Sequence, residues 1–71
     1  MKKWVIVRDG NLGFFMGFNK RNDIVWVTDI EYAKIFNTFK EGKIFKMRYL
    51  TNTFAKVFDY DIAKGIIIGE E

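Results

Sequence analysis

Apolar positions in the first third of the chain fall into three short runs: "WVIV" at Trp4–Val7, "LGFFMGF" at Leu12–Phe18 and "IVWV" at Ile24–Val27. Each is rich in β-branched or aromatic residues and bounded by turn formers, the signature of strands. Asp9-Gly10-Asn11 supplies a tight turn between the first two runs, and the polar Asn19–Asp23 stretch a longer loop before the third. The pattern predicts antiparallel strands at about 3–8, 12–18 and 24–27.

A turn at Gly10-Asn11 or Asp9-Gly10 places odd positions of the first strand opposite even positions of the second. One face then carries Val5, Val7, Leu12, Phe14, Met16 and Phe18, and is the expected core face for helices. The other carries Trp4, Ile6, Arg8 and Phe15, interrupted by Gly13 and Gly17. So short a chain is expected to roof one face only. Trp4, Ile6 and Phe15 should then form an exposed apolar patch with Arg8 at its edge, the kind of surface that marks an interface. Closing strands, a loop or a second copy of the chain are the alternative covers.

The middle of the chain repeats a short word. Thr28-Asp29-Ile30-Glu31 and Thr38-Phe39-Lys40-Glu41 both read Thr-x-x-Glu, the capping-box pattern that opens a helix. The first predicts a short helix from Asp29 to about Phe36, with Val27 and Tyr32 at the staple positions. The second predicts a bend at Asn37 and another helix running to about Leu50. Against it, "IFKMRYL" at Ile44–Leu50 alternates with the period of a strand. Cap and period disagree, and the cap takes precedence. "FAKVFDYD" and "GIIIG" then read as one or two closing strands. The order β-β-β-α-α-β, with a further strand left open, predicts a single α+β domain over residues 1–71: a small antiparallel sheet with helix on one face.

Composition changes the picture chiefly through what is missing. A chain of 71 residues buries only about 60% of its unfolded surface, so it needs unusually dense packing or a partner. Eight Phe, three Tyr and two Trp supply that bulk. There is no Cys and no His, which removes disulfides, thiol nucleophiles, imidazole bases and the common zinc ligands. Ser is absent as well. No enzyme, cofactor or metal is therefore expected. Asp59 and Asp61 would share one strand face as paired carboxylates, but two ligands are too few for a cation site. "GNLGFFMG" lacks the Lys-Ser/Thr of a phosphate loop. The apolar runs of "MKKWVIV" and "GIIIG" are too short for a leader or a membrane span, so a cytoplasmic location is expected.

Charge is unevenly placed. Between Tyr32 and Phe58 lie Lys34, Lys40, Lys43, Lys46, Arg48 and Lys56 against Glu41 alone, interleaved with Phe39, Phe45, Tyr49 and Phe54. Such a segment can steer an acidic protein surface, follow a phosphate backbone with stacking rings, or simply be a solvated helix face. No nucleic-acid motif accompanies it.

The run "WVTDIEYAKIFNTFKEGKIF" after the "WVIV…DG" hairpin resembles a pattern in small proteins of phages of Gram-positive bacteria, through Trp26, Thr28, Ala33, Phe36, Thr38 and Glu41. The likeness spans roughly residues 4–50, and Gly42 departs from it where a helix former would be expected. It implies no catalytic residue. It implies instead a small protein that binds and inhibits a host protein, such as defence machinery, in the host cytoplasm. The expected anchors are Trp4 and Phe15 with Arg8, and the expected steering residues Lys40, Lys43, Lys46 and Arg48. A homodimer or a nucleic acid bound by the 34–56 segment are the other partners expected.

Overall fold

A computed structural model describes residues 2–51 and 54–66. Its order is β1 (Trp4–Val7), β2 (Phe14–Phe18), β3 (Ile24–Val27), a 3-10 turn η1 (Ile30–Tyr32), α1 (Phe39–Tyr49), β4 (Lys56–Asp59) and α2 (Tyr60–Ala63). The four strands form one antiparallel sheet in the order β3-β2-β1-β4. This is the small α+β architecture that the pattern predicts. The "GIIIG" run lies mostly outside the described residues.

The first hairpin keeps its expected parity, with Val7 opposite Phe14. Arg8 N–H donates to the Gly13 carbonyl at 2.8 Å, closing the loop, while Gly10 and Asn11 take φ of 76° and 55°. Both are left-handed values that Gly and Asn adopt most readily. Further along, the register slips between Phe15 and Gly17, so Met16 and Gly17 together oppose Val25. A bulge of this kind shifts alternation by one residue. Phe18, expected beside Phe14, therefore lies on the Phe15 face, its ring 5.6 Å from that of Phe15. Met16 and Leu12, expected in the core, are exposed.

Of the two predicted helices one forms and the other is cut to a turn, and α2 stands at Tyr60–Ala63 where the pattern predicts closing strand. Thr38 caps α1, its Oγ1 accepting from Glu41 N–H at 3.0 Å, and this helix prevails over the alternating pattern of residues 44–50. Thr28 caps nothing: Asp29 accepts from Glu31 N–H at 2.9 Å and opens only the single turn η1. The predicted helix over 29–36 is corrected accordingly. After Ala33 the chain uses its backbone on the sheet instead. Lys34 N–H donates to the Phe15 carbonyl at 2.9 Å, and Phe36 exchanges two bonds with Trp4, at 2.8 and 2.9 Å. Helical bonding and these bonds are mutually exclusive, and the sheet bonds win because they sit in the buried interior.

Those three bonds explain how the fold closes. β1 and β2 pair only at Val7–Phe14, and beyond that point the strands fork. Segment 34–36 lies in the fork, bonded to one strand on each side. Ala33 packs on one face with Val5, Val7, Phe14 and Ala63, whereas Phe36 packs on the other with Ile6, Phe15, Leu50 and Ala55. The chain thus passes from one side of the sheet to the other. η1 and α2 cover the first face, and α1 covers the second. The expectation of a single roofed face is overturned.

Gly42 explains how α1 comes so near. A Cβ there would stand 3.0 Å from Val57 Cγ1 and 3.5 Å from the Phe36 ring. Mid-helix Gly costs about 1 kcal/mol against Ala, and here that cost is offset by close contact between helix and sheet.

Candidate functional site

The patch expected at Trp4, Ile6 and Phe15 is closed by α1. Phe15 is fully buried at 0% exposure, its ring within 5.4 Å of Phe45 and 6.0 Å of Trp26. Ile6 is equally buried, and Trp4 is half-buried with its ring edge-on to Phe39 at 5.4 Å. Phe15 is thus corrected from docking anchor to core residue, and Trp4 to a packing residue beside the helix N-terminus. Arg8 stays exposed, its guanidinium 5.6 Å above the Trp26 ring.

The carboxylate pair also separates. β4 ends at Asp59 because its side chain turns to cap α2, accepting from Asp61 N–H at 2.8 Å and Ile62 N–H at 3.4 Å. Asp61 sits in that helical turn and not on a shared strand face. Lys2 Nζ lies 3.8 Å from Asp59. Among the described residues no group of three or more acidic side chains could hold a metal ion.

What remains is the flank where α1 meets β4. Lys43 and Lys46, three residues apart, fall on one side of the helix. They line an open depression with Phe39, Lys56 and Val57. Lys46 and Lys56 also line the next depression, of about 350 Å³, with Phe54, Ala55 and Asp9. The two share Lys46 and Lys56 and form one trough. Phe39 stands at one end, held by the Trp4 edge and by Lys43 Nζ at 5.8 Å from its ring. Phe54 stands at the other, 84% exposed, the most exposed large apolar side chain among the described residues.

Not all the expected steering residues reach this trough. Arg48 follows Lys46 by two positions, about 200° further round the helix axis, which takes it to the opposite flank. Lys40 is exposed and lines neither depression. Lys34, just where the chain crosses the sheet, holds its ammonium 5.7 Å from the Phe36 ring and 5.8 Å from the Phe45 ring. The sequence cluster therefore divides, and Lys43 with Lys46 is the part that converges. Lys56 joins them only because β4 returns beside β1, with Val7 opposite Lys56 and Ile6 opposite Val57. That register sets the Lys56 Cβ on the face away from α1, where it also borders Arg8, Asp9 and Phe58. No spacing rule links residue 56 to residues 43 and 46, so its membership of the trough was hidden. Phe39 and Phe54 were visible as interleaved rings but not as the trough's two ends.

No helix among the described residues is long and apolar enough to cross a membrane. The chain matches no protein-family model, no curated protein and no solved structure.

Proposed function

We propose that this chain is a non-enzymatic interaction protein that occupies an acidic surface of a protein partner through the α1–β4 trough. The single observation that carries the reading is the convergence of Lys43, Lys46 and Lys56 between two exposed rings, with Asp9 the one carboxylate among the described residues on its border. Ammonium groups there select negative charge and speed encounter, while Phe39 and Phe54 offer apolar area to bury. The resemblance to small phage proteins points in the same direction, toward a host protein as partner and inhibition by occlusion.

A second reading has one observation in its favour. Phe54, beside Lys46 and Lys56, is exposed enough to stack on an unpaired base. Asp9 at the same place and the removal of Arg48 to the far flank weigh against a continuous phosphate track.

The test is a double charge reversal, Lys43→Glu with Lys46→Glu, read by binding of two probes. One is a peptide of about ten residues alternating Glu and Val, and the other an oligothymidine of about 15 nucleotides. The variant should bind the peptide about tenfold more weakly, or about 1.4 kcal/mol, with its thermal midpoint unchanged. Equal affinity in the variant, or preference of the native chain for the oligonucleotide, would overturn the reading.

A further inference from the structure

The trough is bordered along one side by a sheet edge that no strand among the described residues pairs, and this suggests how a partner is held. In the order β3-β2-β1-β4 no described strand lies beyond β4. Tyr60 N–H donates to the Lys3 carbonyl at 2.8 Å, so residues 60, 58 and 56 face β1 by alternation. Trp4 confirms the phase, since its own N–H and carbonyl turn the other way to Phe36. The N–H and carbonyl of Val57 therefore point outward, beside the trough, whereas the Asp59 carbonyl is taken up by α2, which Asp59 caps.

From this geometry we infer that the partner is an extended acidic peptide segment that adds to β4 as a fifth strand. The inference rests on the proposed acidic-partner reading and deepens it. Side chains of an added strand alternate between the two faces of the sheet. On the α1 face they meet Lys43 and Lys46, which select carboxylates. On the other face they meet Phe58 and the Lys56 stem, which suit an apolar residue. A segment alternating acidic and apolar residues satisfies both, while its backbone bonds the Val57 edge.

A second copy of this chain is the obvious competing occupant, because an open edge invites its own kind. Pairing β4 with β4 would set Lys43, Lys46 and Lys56 against the same residues of the other copy. Those lysines block self-pairing and favour an acidic strand. The opposite edge, β3, has no charged residue of its own in Ile24–Val27, and Arg8 stands beside it, over the Trp26 ring.

Amide hydrogen exchange of the full chain, with and without the alternating Glu-Val peptide, tests this. Saturating peptide should slow exchange at Val57 by at least about tenfold and leave Phe58, already bonded to β1, unchanged. A peptide N-methylated at every second residue, along its bonding edge, should bind about tenfold more weakly. Binding that depends on Lys43 and Lys46 but leaves Val57 unprotected would sink strand addition while sparing the acidic-partner reading. Loss of that charge dependence would remove both. A dimer by light scattering with Val57 protected in the absence of peptide, or capture of oligothymidine in preference to peptide, would also overturn it.

Discussion

Under α1 the sheet is closed by rings packed on rings, whereas on the opposite face two short turns set small side chains at the centre, ringed by Ile30, Tyr60 and Ile66. Every ring–ring contact among the described residues lies on the α1 side, from Trp4–Phe39 at 5.4 Å through Phe15 and Phe45 to Tyr49. The other face sets Ala33 and Ala63 directly against Val5, Val7 and Phe14. Away from Gly42, where α1 meets Val57 closely, the 11-residue helix is spaced from the sheet by bulk that fills the gap. The short turns bring Ala33 and Ala63 directly onto the sheet, with Ile30 and Tyr60 packed around them. So a chain too short for two layers of helix can still cover both faces, one with volume and one with proximity. The thicker roof ends at β4, beside the proposed recognition trough.

This contrast is broken most severely by removing a ring. Phe15→Ala should cost about 3–5 kcal/mol, the usual range for a buried Phe. A domain of this size holds only about 0.05–0.15 kcal/mol per residue in total, so the variant should be largely unfolded at 25 °C by circular dichroism. A cooperative transition near the native midpoint would show that α1 does not seal the ring face.

Adding volume should break the other face. Ala63→Leu puts a large side chain where exposure is 0% and the turn already touches Val5 and Val7. Overpacking of this kind costs about 1–3 kcal/mol, measurable as a lowered midpoint in urea. A neutral result would mean that the small-residue face has room to spare.

The smallest effect separates the two Thr-x-x-Glu words. Thr38→Ala should lose about 1 kcal/mol with its cap on α1. Thr28→Ala should stay within about 0.5 kcal/mol, because Asp29 does the capping there. Equal losses in urea titrations would mean that both words cap.

These contrasts also show what the residue pattern could and could not carry. Alternation is local, and it correctly divided Val5, Val7 and Phe14 from Trp4, Ile6 and Phe15. The Met16–Gly17 bulge escaped it, since a one-residue slip leaves the composition of the strand unchanged. The crossing at 34–36 escaped for a deeper reason. It is made of backbone bonds from Lys34 and Phe36 to Phe15 and Trp4, and backbone groups are identical in every residue. One signal was present but pointed elsewhere: Gly42, unfavourable in a helix, marked a close approach to Val57 and not a broken helix. The lysines were legible as a cluster, but their division between two flanks depends on the helix, and the place of Lys56 depends on sheet order.

Closure of both faces by a single crossing is the claim on which the rest depends, and native-state hydrogen exchange at two amides tests it most directly. Lys34 and Phe36 should be protected to the level of Phe58 in the core ladder, far above the exposed loop amide of Lys20. If instead both exchange as quickly as Lys20, the segment does not lie between β1 and β2, and the ring face has lost the connection that lets α1 cover it.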